Sequence, residues 1–359
     1  MTTAPIAPTD RDDSRRDYAD VVRALGTLAV VMIHVAGGGV ALFDTGGDRA
    51  AWWVYNVADS ACRWAVPVFV MLSGALLLDP AKTHEGTGRF YRKRLARIAP
   101  PLFFWSAFYL WLRWFLPGHI PFPATPEQAL KTFLFANPYY HLYFLFVMIT
   151  VYVFTPALRR ITGSSDTATV RGYAFVALLF ACGDTLVRSR YAFPSNVFAM
   201  GVPYLGYFLL GYSLRNGATM NRTRWLCGVG LVASVAVTAI GTAWTMSHWH
   251  GAMRQYLYNF FSPTACVMAV CVFALLAGAT YTSPIARTLR PVTRLLSDTS
   301  FGVYLVHPLL LLLAQRQGFG AERMAWWLYL PGVTACVLVA SIVLTRLFQA
   351  TRVTRPLVG

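Results

Sequence analysis

Charged residues are scarce in this 359-residue sequence. They make up 13% of the chain, whereas soluble domains carry about 25%, and the mean hydropathy is +0.49. This shortage excludes an ordinary soluble domain and indicates an integral membrane protein. Acidic residues are fewer than basic ones, with 15 Asp and Glu against 31 Lys and Arg. Because the basic residues lie in short segments between apolar runs, they indicate membrane topology and not a nucleic-acid partner.

Cysteine and histidine are also sparse, and neither is spaced for a metal ion. The six cysteines include no C-x-x-C pair, and nearly all lie inside apolar runs, which argues against structural zinc and against disulfides. His248 and His250 have no carboxylate or cysteine near them in the sequence, so we predict no metal site. The sequence also lacks internal repeats and low-complexity tracts.

Long apolar runs are abundant. A transmembrane helix needs about 20 mostly apolar residues, so the sequence predicts an all-α integral membrane protein of about ten transmembrane helices. We expect a polar cytoplasmic tail at 1–18, a transmembrane domain at 19–350 and a second cytoplasmic tail at 351–359. The ten runs lie at roughly 20–43, 52–78, 98–116, 140–158, 171–187, 196–215, 224–246, 255–280, 299–315 and 325–349.

Lys and Arg are distributed unevenly between the two sets of loops that these spans create. The set containing the N-terminal tail, the loop 79–97 and the C-terminal tail carries 21 of them, and the other set carries 7. Cytoplasmic loops carry the excess of basic residues in membrane proteins. Both termini are therefore predicted to be cytoplasmic, which agrees with an even number of spans.

Two ionisable residues lie eleven positions apart on the first predicted helix. At 100° per residue, Arg23 and His34 share one face and lie about 16 Å apart along the axis. Asp20 is one turn before Arg23 and can pair with it. The simpler interpretations are that Arg23 anchors the helix at the membrane surface and that His34 is a hydrogen-bonded core residue. A histidine at mid-depth is also the usual general base near neutral pH.

A basic cluster precedes the third span, in "FYRKRLARIAPP" at 90–101. It is either a positive-inside stop or a clamp for the phosphates of a nucleotide-like donor. Its members are Arg92, Lys93, Arg94 and Arg97.

Four further sites carry polar groups in apolar surroundings. Asp59 and Arg63 are spaced i, i+4, so they form either a structural ion pair or part of a polar cavity. Pro67 and the Ser73-Gly74 pair permit a kink and close packing in the same helix. His141 lies among tyrosines that suit an aromatic belt. His307, followed by Pro308, is a helix-packing histidine by default.

Six motifs in order resemble those of the acyltransferase-3 family, the ten-helix membrane acyltransferases that modify surface polysaccharides, lipids and antibiotics. The resemblance covers nearly the whole chain and is strongest to the O-acetyltransferase branch that includes the enzyme acting on enterobacterial common antigen. The motifs are D-x-x-R-(x)10-H at Asp20, Arg23 and His34; Ser73-Gly74; R-x-x-R at Arg94 and Arg97; H-L-Y-F at 141–144 with Pro156 closing that helix; F-L-L-G-Y at 208–212; and S-F-G-V-Y-L-V-H at 300–307.

The resemblance implies acyl-CoA, usually acetyl-CoA, as co-substrate, no tightly bound cofactor, and a glycan hydroxyl as acceptor. It implies a location in a bacterial cell membrane, among lipids. His34 and Arg23 would be catalytic, and Arg94 and Arg97 would bind the donor, assisted by Arg92 and Lys93. Residues with a possible acceptor or supporting role are Asp20, Asp59, Arg63, Ser73, His141, Tyr143, Tyr304 and His307.

Three alternatives stay open at this point. The acyl group can be succinyl or longer, with a lipid or small-molecule acceptor. A glycan transporter also places charges in the membrane, although many transporters show repeated halves. A structural membrane subunit leaves the geometry of Arg23 and His34 unexplained.

Overall fold

The structure is a computed structural model. It describes residues 10–80, 85–114, 125–134, 138–193, 196–217 and 220–359. Lys82 of the loop 79–97 lies outside the described residues. So do three prolines of the long segment 117–139 between the third and fourth predicted spans, namely Pro117, Pro121 and Pro123.

The described residues form helices and contain no β-strand, which confirms the predicted all-α membrane fold. The helices are α1 (Asp10–Val40), α2 (Arg49–Cys62), α3 (Ala65–Leu77), α4 (Thr87–Trp114), α5 (Pro126–Leu134), α6 (Tyr143–Ser164), α7 (Thr167–Tyr191), α8 (Tyr204–Ser213), α9 (Asn221–His248), α10 (Pro263–Ala277), α11 (Pro284–Arg316), α12 (Trp326–Leu328) and α13 (Thr334–Ala350).

The sixth predicted span differs from the expectation. Nine helical segments of the described ranges, some of which join consecutive helices such as α2 and α3, are long and apolar enough to cross a membrane. Helix α8, with 10 residues, is too short to be one of them. The first part of the predicted span, 197–203, forms turns. The side chain of Asn196 accepts the backbone N–H groups of Phe198 and Ala199 there, and the helix begins only after Pro203.

The positions of the first and last spanning helices indicate an even number of membrane passages. The first and last spanning helices both contact the same level of α11, because Ser297 donates to Asp20 at 2.7 Å and Arg346 lies 3.7 Å from Asp298. Both ends of the chain therefore leave the bundle on one side. Nine crossings would place the two ends on opposite sides, so we infer that α8 and the turns before it make a tenth passage. That this side is the cytoplasm stays a prediction from the loop charges.

Two helix boundaries differ from the predicted ones, and the C-terminal segment contacts the helices. Helix α1 begins at Asp10, inside the predicted polar tail. Pro156 lies within α6 and does not end it. The C-terminal segment packs back on the bundle, where the indole of Trp105 donates to the carbonyl of Leu357 at 2.9 Å.

The second predicted span is broken at Arg63. Helix α2 ends at Cys62 and α3 begins at Ala65. Pro67 has no N–H to donate to the carbonyl of Arg63, four residues earlier, so the helical hydrogen-bond pattern is interrupted there. The interruption lies where Pro67 permits a kink, and it places the Arg63 side chain at the break, inside the bundle.

Helices α3 and α8 approach each other closely because two glycines face the opposite backbone. A Cβ atom on Gly74 would lie 1.8 Å from the carbonyl oxygen of Phe208, and one on Gly211 would lie 1.9 Å from that of Met71. Neither backbone can move without displacing its helix. Close approach through small residues is a general feature of helix packing in membranes.

We expect Gly74→Ala and Gly211→Ala each to destabilise the fold by about 1–3 kcal/mol, the range for overpacking. Thermal unfolding of the detergent-solubilised protein, followed by loss of the monodisperse peak, measures the effect. Gly183→Ala is the matched control, because its helix leaves open space at that position. Equal melting temperatures for all three variants would show that the α3–α8 contact tolerates a methyl group.

Candidate functional site

One cavity of about 360 Å³ lies between α1, α3, α4, α6 and α11. Its described lining contains four arginines and three histidines but no aspartate or glutamate. The remaining wall is mainly apolar and aromatic. The ionisable side chains that line it are Arg23, His34, Arg63, Arg94, Arg97, His141 and His307. The cavity therefore favours a ligand that is anionic at one or more places.

Arg23 lies at one end of this cavity, on α1. Its guanidinium is 3.4 Å from the carboxylate of Asp20, and Ser297 on α11 bridges the two residues, since its hydroxyl donates to Asp20 at 2.7 Å. Arg97 is near enough to interact electrostatically with Arg23. Asp20 itself does not line the cavity, so it orients Arg23 from behind.

The basic cluster divides into two pairs. Arg94 and Arg97 line the cavity, and the guanidinium of Arg94 lies 5.7 Å from the centre of the Tyr152 ring. Arg92 and Lys93 are exposed and do not line it. The structure thus brings Arg94 and Arg97 to the same cavity as Arg23 and leaves Arg92 and Lys93 outside it.

The three histidines lie together. The ring of His34 stacks on that of His307 with centroids 5.2 Å apart and contacts Tyr140 at 4.9 Å. His141 contacts His307 edge-on at 5.8 Å. Among the described residues, no group of three or more His, Cys, Asp or Glu is arranged to hold a metal ion. All three imidazole rings line the cavity.

His141 and Tyr143 lie in the interior and do not form the aromatic belt that the tyrosines indicated. His141 is 3% exposed and packs edge-on against the rings of Tyr109 and Tyr304. The hydroxyl of Tyr304 donates to the backbone carbonyl of His141 at 2.7 Å. Tyr143, two residues further along the chain, also lines the cavity.

Arg63 is held rigidly beside the histidines. Its guanidinium pairs with the buried carboxylate of Asp59, donates to the carbonyl of Tyr258 at 3.0 Å and lies 4.1 Å from the centre of the Tyr258 ring. The Tyr258 hydroxyl donates in turn to Asn56 at 2.6 Å. Arg63 lines the cavity and interacts electrostatically with His34, whereas Asp59 supports it without reaching the cavity.

Sequence reasoning missed Ser300 and Tyr152, which both line the cavity. A signal for the first was present, because Ser300, Tyr304 and His307 are spaced four and three residues apart and share one helix face. No signal singled out Tyr152, one of many aromatic residues in apolar runs. Ser73 also lines the cavity, with its hydroxyl donated to the carbonyl of Phe69 at 2.9 Å.

The fold and this cavity define a multi-pass membrane protein with a buried basic site. Residues 16–346 match the family Acyl_transf_3, described as "Acyltransferase domain". Because the match spans nearly the whole chain, the protein belongs to this family of membrane acyltransferases. No curated protein and no solved structure shows significant similarity to it.

Proposed function

We propose that this protein transfers an acyl group, acetyl in the first instance, from cytosolic acyl-CoA to a hydroxyl of a cell-surface or lipid-linked glycan in a bacterial cell membrane. One observation carries the proposal: a single cavity joins three arginines near one surface of the bundle to a histidine cluster at depth.

The arginines support an acyl-CoA donor. Guanidinium groups bind phosphates through charge-assisted hydrogen bonds. The described cavity lining places no carboxylate beside Arg23, Arg94 and Arg97, and the Asp20 partner of Arg23 lies behind it, outside the cavity. The apolar wall beyond them, which includes Phe69 and Phe144, suits the uncharged pantetheine arm. The thioester would then reach the level of His34.

The same charge distribution supports a hydroxyl acceptor. An amine acceptor is an ammonium ion near neutral pH and would meet four arginines and no acidic partner in the described lining. A sugar hydroxyl carries no charge and needs only a base to remove its proton.

The chemistry at depth is assigned to His34 and Arg63. His34 either takes the proton of the acceptor hydroxyl or carries the acyl group between the substrates. Arg63 supplies positive charge near the acyl carbonyl oxygen, where negative charge develops during transfer. Because Asp59 and Tyr258 hold it in place, little reorganisation is needed at that moment.

The test is a comparison of surface glycans from a deletion strain and its complemented strain by mass spectrometry. The proposal expects one acetyl mass per modified sugar in the complemented strain only. Proteoliposomes containing the purified protein, given acetyl-, succinyl- or octanoyl-CoA and the glycan from the deletion strain, should release CoA fastest with the acetyl donor. Identical glycans together with no CoA release would refute the function.

The donor site makes a separate prediction. Arg94→Gln and Arg97→Gln should each raise the KM for acyl-CoA by about ten- to a hundredfold, because a hydrogen bond to a charged group contributes about 1.5–3 kcal/mol. Steady-state CoA release measures the KM. Arg92→Gln and Lys93→Gln are the matched controls, since their side chains lie outside the cavity. Equal shifts in all four variants would place the phosphates elsewhere.

A further inference from the structure

One ring nitrogen of His307 makes a hydrogen bond, and the other has no hydrogen-bond partner among the described residues. Its Nδ1 lies 2.9 Å from the carbonyl oxygen of Val303, one turn earlier on α11. A carbonyl oxygen only accepts, so Nδ1 carries the proton and Nε2 carries the lone pair. The contact comes from the helix itself, and it therefore fixes both the tautomer and the orientation of the ring.

The free nitrogen belongs to the cavity. Nε2 is buried and has no hydrogen-bond partner in the described part of the chain, and the ring lines the cavity and stacks on His34 at 5.2 Å. A buried acceptor without a partner is unfavourable. Its presence is explained if a substrate donates a hydrogen bond to it.

His34 is arranged differently. Its ring contacts Tyr140 and His307, but no group in the described chain donates to or accepts from its nitrogens to fix a tautomer. An effective base is one whose other ring nitrogen is held by a third group. By that criterion His307, and not His34, is oriented as the base.

We propose that His307 Nε2 is the base that takes the proton of the acceptor hydroxyl, and that His34 carries the acyl group. This rests on the acyltransferase function proposed above, and it selects between the two routes left open for His34.

Both half-reactions balance. A nitrogen of His34 attacks the thioester carbon, the C–S bond breaks, and CoA leaves as a thiol with the proton from the other nitrogen of His34. The acceptor oxygen then attacks the acyl carbon, the C–N bond breaks, and Nε2 of His307 takes the hydroxyl proton. That proton passes to the released ring of His34, which restores both residues.

Two substitutions distinguish a catalytic role of His307 from a packing role. In His307→Asn the side-chain amide keeps a donor for Val303 and loses the basic nitrogen, whereas His307→Leu loses both. If His307 only holds the helix, the Asn variant stays active and the Leu variant does not. If His307 is the base, both lose transfer by about 10²- to 10⁴-fold. His250→Asn, an exposed histidine outside the cavity, is the control.

The decisive readout is acyl uptake from radiolabelled acetyl-CoA, measured on the purified full-length protein without acceptor. We expect His307→Asn to bind about one acyl group per chain and to fail in transfer to glycan. Retained transfer overturns the proposal, and so does loss of both uptake and transfer by a correctly folded variant. If the wild-type protein transfers nothing to any glycan fraction, the proposed function fails instead, and the two failures are thereby distinct.

Discussion

Replacing His34 with alanine should lower acyl transfer by at least about 10²- to 10⁴-fold, the usual contribution of a catalytic histidine. His34 lines the same cavity as Arg23, Arg94 and Arg97 and stacks on His307. The measurement is acetyl content of surface glycan in cells, together with CoA release in proteoliposomes. Uptake of labelled acetyl by the protein should also disappear.

The controls must distinguish loss of catalytic activity from a lower level of folded protein. His250→Ala removes an exposed histidine outside the cavity and should leave both readouts unchanged. His34→Gln keeps a polar side chain of similar reach without a basic nitrogen, and it should be as inactive as the alanine variant. Normal glycan acetylation at a normal protein level in either His34 variant would remove His34 from the mechanism.

Removing the carboxylate of Asp59 should destabilise the protein strongly. Asp59→Leu leaves the guanidinium of Arg63 buried without its counter-ion, and breaking a buried ion pair in this way costs about 3–5 kcal/mol. We expect a low yield of folded protein and early thermal unfolding in detergent. The double variant Asp59→Leu/Arg63→Met removes both charges and should recover most of the stability, because buried pairs replaced by apolar residues are often nearly neutral.

The double variant also tests what Arg63 does. If the pair is structural only, recovery of folding should restore transfer. We expect transfer to stay about 10²- to 10³-fold low, the effect of losing one stabilising donor at a developing oxyanion, because Arg63 lines the cavity beside His34. Full activity in a stable double variant would reduce Arg63 to a packing residue.

Local periodicity explains why α1 was predictable. The positions of Arg23 and His34 on one face follow from helix geometry alone, and the contact of Asp20 with Arg23 follows from their spacing. The interruption after Cys62 was also predictable, because it depends on Pro67 in the same segment. In each case the determining residues lie within a few turns of one another.

Helix α8 shows where such reasoning stops. Hydropathy treats 196–215 as one apolar run and does not register that Asn196 and Pro203 divide it into turns and a short helix. The residues of this ten-residue helix are nearly all buried against protein. That environment is a property of the neighbouring helices α3 and α7.

The sequence by itself determined the membrane class, most of the helices, the bias of the loop charges and the shared face of Arg23 and His34, since all of these depend on composition and short-range spacing. The tertiary structure alone decided which ionisable groups meet. It brought Arg94 and Arg97 to Arg23, placed Arg63 beside His34, and moved His141 into the interior. It also left Nε2 of His307 free in the cavity. Such contacts join segments far apart in the chain, and only the packing of the helices brings them together.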